Sequence, residues 1–150
     1  MYGWIVFLHV AGVFGFLLYH GVSMFVSLQL LRERDPKRVA HLIELSGSSL
    51  RGFYLSFLVL VGAGVAAGFI GRWWGRGWIW TSLVIFLVVS ALMGAIARPY
   101  FQRVGTAARA SDATPQALDA VVSKSVPMIL IGLGFGSLLF ILYLMLFKPF

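Results

Sequence analysis

Four long apolar stretches alternate with shorter polar segments along the chain, at approximately residues 4–31, 52–71, 78–97 and 126–147. Each is long enough for an α-helix of about 20 residues, which crosses the roughly 30 Å hydrocarbon core of a bilayer. The pattern predicts an all-α polytopic membrane protein. We expect residues 1–150 to form a single transmembrane domain, a four-transmembrane-helix bundle.

The first apolar stretch is the one segment that could be mistaken for a cleaved signal peptide. No positive charge precedes Trp4, and the stretch is longer than the 7–15 apolar residues typical of such a signal. We therefore expect a retained membrane helix.

Two polar segments contain helix-start signals. Asp35 and Thr114 are each followed by proline, a combination typical of an N-cap and the first helical residue. We expect the helix that follows Asp35 to break at 46–49, and the fourth helix to begin at Thr114, well before the membrane. Pro99 and Pro127 are expected to kink their helices. Helices should thus extend out of the membrane on this side.

The composition supports a lipid environment. Hydrophobic residues make up 60% of the chain and charged residues 11%, against roughly 45–50% and about 25% in soluble domains. The chain contains no cysteine, which excludes disulfides and thiolate metal sites.

The net charge of +7 is explained by topology, and we expect no nucleic-acid partner. Nine Lys and Arg residues lie in the segments after the first and third apolar stretches, whereas three lie on the opposite side. By the positive-inside rule, we expect a multi-pass protein of the bacterial inner membrane, with both termini outside and the helix extensions in the cytoplasm.

The first apolar stretch has a narrow polar face. His9 and His20 are eleven residues apart, which at about 100° per residue places them on one side of a helix. Gly12, Ser23 and Ser27 fall near the same line. Because hydrocarbon offers no hydrogen bonds, we expect this face to point into the bundle and to pack against other helices.

The two histidines could also bind a cofactor. Three histidines in the chain are too few for two bis-histidine haems, but one b-type haem could use His20, with His41 or a methionine, or His9. Imidazole and thioether groups also suit copper(I), for which the candidate ligands are His20, Met24, Met93 and Met128. Packing without any cofactor remains the default interpretation.

Small residues four positions apart mark close helix contacts in membranes. The pairs Gly64 and Gly68, and Gly132 and Gly136, have this spacing. They predict either a tight bundle or a groove for a partner helix, which would be another membrane subunit or a second copy.

Tryptophans cluster between the second and third apolar stretches. We interpret Trp73, Trp74, Trp78 and Trp80 as an aromatic belt at the membrane interface. The alternative is a platform for a quinol, a lipid or a partner protein.

The segment "WIVFLHVAGVFGFLLYHG" resembles the start of a group of small bacterial four-helix predicted integral membrane proteins. These are distantly similar to the copper-resistance D domain. His9, with Ala11 and Gly12, is the part that matches the family pattern, whereas His20 lies outside it. The resemblance implies a compact four-helix membrane protein associated with metal, haem or respiratory functions.

No catalytic set is evident, so an enzyme is the less favoured interpretation. The leading hypothesis is a non-enzymatic accessory or assembly subunit of a larger bacterial membrane complex, of the electron-transfer kind. The alternative is a b-type haem- or copper-binding membrane protein that uses His20 or His9. A small transporter ranks third, because all five acidic residues lie outside the apolar stretches.

Overall fold

The computed structural model describes residues 1–150 and contains helices but no strands. The helices are α1 (Tyr2–Gln29), α2 (Pro36–Ser48), α3 (Leu50–Ile70), α4 (Gly77–Arg109), α5 (Pro115–Val121) and α6 (Ser125–Phe147), with a 3-10 turn at Trp73–Gly75. Four spans are long and apolar enough to cross a membrane: α1, the nearly continuous α2–α3, α4 and α6. The prediction of an all-α protein with four transmembrane helices is confirmed.

Both predicted N-caps form. The Asp35 carboxylate accepts a hydrogen bond from the Arg38 backbone N–H at 3.0 Å, and the Thr114 hydroxyl accepts one from Ala117 at 3.2 Å. Each bond satisfies a backbone donor that the first turn of a helix leaves free. Only Ser49 separates α2 from α3, and its backbone is itself helical.

The chain after Thr114 differs from the expectation of one continuous helix. A short α5 ends at Val121, and α6 begins at Ser125. Pro127 is therefore in the first turn of α6, where a missing N–H breaks no helical bond. Pro99 lies inside α4, which continues to Arg109. With 33 residues, α4 is about 50 Å long and extends well beyond a bilayer core.

Helices α1 and α3 form the tightest pair. They run antiparallel, and Gly12 lies directly against the backbone of Leu60: a Cβ on Gly12 would be 2.6 Å from the Leu60 nitrogen. Farther along the pair, Gly15 faces Ser56 and the ring of Tyr19 covers Gly52. Small residues allow this approach, and dispersion contacts stabilise it in lipid.

The second pair consists of α4 and α6, and an aromatic seam separates it from the first. Phe16 of α1 and Phe57 of α3 reach across to Phe86 of α4, with ring centroids 5.8 and 5.5 Å apart. Phe53 packs against Phe16 at 5.1 Å. These aromatic contacts, together with a smaller contact between α1 and α6, join the two pairs within the membrane-spanning region.

The buried core lies at one end of the bundle. This basic end, defined by α2, α5 and the loops beside them, is opposite the turn end, which carries residues 71–76 and both termini. The last turns of α1 meet α2, α4 and α5 there. The core residues are Val26, Leu30, Val39, Tyr100, Val104, Ala108 and Leu118.

Elsewhere the apolar side chains face outward. Only 19 of 150 residues are buried, and large apolar side chains are exposed along all four spans. Such a surface is stable only where lipid replaces water.

The α1–α3 contact predicts the effect of a single methyl group. Gly12→Ala places a Cβ against the Leu60 backbone, so we expect it to lower the free energy of unfolding in detergent by about 1–3 kcal/mol. Gly21→Ala, on the same helix with no atom within 4 Å of the new Cβ, should leave it unchanged or raise it. Thermal unfolding followed by size-exclusion chromatography measures both, and equal stability of the two variants would contradict the contact.

Candidate functional site around His20

His9 has a structural role that its surroundings define. Its ring nitrogen Nδ1 lies 2.9 Å from the Leu60 carbonyl oxygen, and because a carbonyl cannot donate, Nδ1–H must be the donor. Gly64 makes room for the ring, since a Cβ there would be 2.9 Å from Nδ1. His9 therefore joins α1 to the backbone of α3.

His20 has different surroundings, on the aromatic seam. Its imidazole stacks on Phe16, with centroids 5.6 Å apart and planes 10° apart, and Phe53 lies 6.0 Å away. No side-chain hydrogen bond holds this ring. Its Nε2 instead lies 3.9 Å from the position that a Cβ on Gly134 would occupy.

Met93 reaches the same place from α4. Its sulfur also lies 3.9 Å from the Cβ position of Gly134, and its methyl carbon lies 3.4 Å from it. Helix α1 thus provides an imidazole nitrogen and α4 a thioether sulfur, each 3.9 Å from the same Cβ position of Gly134. Helix α6 contributes no side chain there. We call this arrangement the His20–Met93 site.

The other candidate ligands are placed less closely. Met24 is one turn beyond His20 on α1 and is half-buried, whereas Met128 is exposed near the start of α6. His41 is exposed on α2, at the basic end. No group of three or more His, Cys, Asp or Glu side chains could hold a metal ion.

The serines of the polar face make local contacts. The hydroxyls of Ser23 and Ser46 lie 2.8 Å apart and join α1 to α2. Ser27 is buried and donates to the Met24 carbonyl of its own helix at 2.7 Å. The face that includes the two histidines therefore lies against other helices, whereas Gln29 is exposed.

The predicted small-residue pairs have different neighbours. A Cβ on Gly68 would be 3.1 Å from the Trp74 ring and 3.3 Å from Ile79. Gly132 and Gly136 of α6 are exposed, and no atom lies within 4 Å of their Cβ positions.

The four tryptophans at the turn end are not equally exposed. Trp78 is buried, whereas half of the Trp80 surface is exposed, and the indole N–H of Trp80 donates to the Trp74 carbonyl at 2.9 Å. The indole nitrogens of Trp74 and Trp78 have no partner. The Lys148 ammonium lies 4.3 Å from the centre of the Trp73 ring, a favourable cation–π distance.

Gly134 is the site residue that sequence analysis missed. The four-residue spacing of Gly132 and Gly136 draws attention to the opposite face of α6, and Gly134 lies between them. Gly132, Gly134 and Gly136 are two positions apart. In a helix this spacing places small residues on two opposite faces, which is the sequence pattern that indicates Gly134.

Comparison with known protein families gives a match over nearly the whole chain. A family model described as "Predicted integral membrane protein (DUF2269)" matches residues 4–149. No curated protein and no solved structure matches this chain.

The two histidines should differ in their effect on stability. His9→Leu removes the hydrogen bond to the Leu60 carbonyl, which we expect to lower the free energy of unfolding by about 1 kcal/mol. His20→Leu removes no hydrogen bond and should change stability less in metal-free protein. Thermal unfolding in detergent compares the two, and a larger loss for His20→Leu would show that the roles are reversed.

Proposed function

We propose that this chain, which belongs to the DUF2269 family of predicted integral membrane proteins, binds copper(I) through Nε2 of His20 and the sulfur of Met93. One observation carries the proposal: both atoms lie 3.9 Å from the same point beside Gly134. They are contributed by different helices, and Gly134 adds no side chain beside them.

The chemistry of the two groups suits this ion. Thioether sulfur is a soft ligand that favours copper(I), and neutral imidazole binds copper as well. A monovalent ion between neutral ligands needs no carboxylate in the membrane, where this chain has none. Phe16 stacks on the imidazole and Phe53 lies 6.0 Å from it, so aromatic contacts hold this ligand ring in place. Met24 lies one turn beyond His20 on the same helix and is the nearest further thioether along α1.

A b-type haem is the alternative occupant of the same ligands. Histidine and methionine are an established pair of axial haem ligands. The phenylalanine rings of the seam already lie beside the imidazole, an arrangement that favours an ion over a macrocycle. The spectrum of the purified protein decides between the two.

Metal titration tests the proposal. Purified protein under reducing conditions, titrated with copper(I) against a chromophoric chelator, should bind one ion per chain. His20→Leu and Met93→Leu should each weaken copper(I) binding by more than about tenfold. Loss of a residue that only supports a metal ligand already costs about tenfold to a hundredfold in affinity.

Two matched variants serve as controls. His9→Leu and Met128→Leu remove the same side-chain types away from the site and should leave copper binding unchanged. Failure of the wild-type protein to bind copper(I), or equal losses in all four variants, would overturn the proposal. A Soret band that His20→Leu abolishes would assign the ligands to haem instead.

The second candidate function is that of a non-enzymatic accessory or assembly subunit of a larger membrane complex, of the electron-transfer kind. It is favoured by uncovered small residues on the α4–α6 pair. Gly132 and Gly136 have open space above them, and Ala91, Gly94 and Ala95 of α4 are exposed. Such surfaces allow the backbone of another helix to approach closely.

Association in native membranes tests the subunit role. Gly132→Leu and Gly136→Leu should shift the chain to lower mass on native gels, because a bulky side chain blocks a partner helix. Gly62→Leu, at an exposed glycine of α3 with equally open space, is the control. A wild-type chain that migrates alone would count against the subunit role.

The same proposal includes a bacterial inner membrane location with both termini outside. It rests on the nine basic residues of the basic-end segments against three at the turn end, a bias typical of cytoplasmic loops.

A further inference from the structure

An open cleft of about 630 Å³ lies at the basic end, between the α2–α3 junction and the end of α4. It is distinct from the His20–Met93 site and contains no residue of that site. The cleft is lined by Ile43, Glu44, Gly47, Ser48, Arg51 and Arg109.

Two arginines without a carboxylate partner, Arg51 and Arg109, give the cleft its positive charge. The salt bridges of the chain are Arg34–Asp119 and Arg38–Glu33, so neither Arg51 nor Arg109 has a carboxylate partner. Glu44 is the single acidic residue of the lining, which leaves the cleft with an excess of one positive charge. Both guanidinium groups retain free donors for an anion.

The backbone helps to place Arg109 in the cleft. A Cβ on Gly105, one turn earlier on α4, would lie 3.2 Å from a guanidinium nitrogen of Arg109 and 3.2 Å from Ile43. The glycine therefore allows the arginine side chain to fold back along its own helix, beside α2. Arg51 of α3 lines the same cleft.

The cleft lies at the level where the lipid-facing surface begins. Leu50, next to Arg51, is already 46% exposed, and the next turns of α3 expose Tyr54, Leu55 and Leu58 by 60% or more. Arg51 therefore lies in the headgroup region, about 5–7 Å thick on each side of the hydrocarbon core, and the Arg109 side chain folds back along α4 towards the membrane. Anionic phosphates are concentrated there.

We infer that Arg51 and Arg109 form a binding site for a phosphate-bearing anion, which at this depth is the phosphodiester of an anionic phospholipid. Guanidinium groups match phosphate oxygens in bidentate geometry. Gly47 and Ser48 also line the cleft, but the Ser48 hydroxyl already donates to the Leu45 carbonyl at 2.8 Å, so the two arginines are the donors for the anion. A free phosphate ion would satisfy the same donors.

Native mass spectrometry of the full-length protein in mild detergent tests the site. A short-chain phosphatidylglycerol should bind in preference to the matching phosphatidylcholine. Arg51→Gln and Arg109→Gln should each weaken its binding by about fivefold, the contribution of one basic residue near an anionic surface. Titration with inorganic phosphate in parallel distinguishes a lipid from a soluble anion.

Arg103→Gln is the matched control, because Arg103 is exposed on α4 outside the cleft. Its substitution changes the net charge by the same amount as the two cleft substitutions. Loss of anion binding in the two cleft variants but not in the control supports the inference. Binding of phosphatidylglycerol identifies the anion as a lipid headgroup, and binding of inorganic phosphate alone identifies it as a soluble anion. Equal loss in the control, or no loss in the cleft variants, overturns it. Circular dichroism of each variant verifies that the helices are intact.

Discussion

The contact between α1 and α3 at Gly12 and Leu60 fixes the register of the membrane-spanning region. Once the two backbones touch there, antiparallel packing sets His9 against the Leu60 carbonyl and brings His20 level with Phe53. The same register turns the imidazole of His20 towards α4 and α6. A site shared by three helices therefore depends on a contact that only glycine allows.

The apolar pattern was sufficient to predict the four spans, and the Asp35 and Thr114 caps were readable because their hydrogen bonds are local. Helical periodicity placed His9 and His20 on one face. It could not assign their partners, since the Leu60 carbonyl and Met93 come from distant parts of the chain. The break between α5 and α6 was also missed, because the valines and serines at 121–125 lower helix propensity only slightly.

The location of the core reflects two different solvents. At the basic end, α1, α2, α4 and α5 leave the apolar medium, and burial of residues such as Leu30 and Val104 is favoured by the hydrophobic effect. Between the helix pairs within the membrane this effect is absent, because lipid tails are as apolar as the side chains. Close packing at glycines and aromatic contacts replaces it there.

The aromatic seam has a consequence for how quickly a small solute could move between the lipid and the interior. The two helix pairs are linked at the turn end through residues 71–76 and at the basic end through the core, so separation of whole helices would require repacking at both ends. Reorientation of Phe16 or Phe86 requires only a change of rotamer, which takes picoseconds to nanoseconds for exposed side chains and longer for packed ones. We therefore expect side-chain rotation, with a rigid backbone, to set the rate at which any small solute crosses the seam.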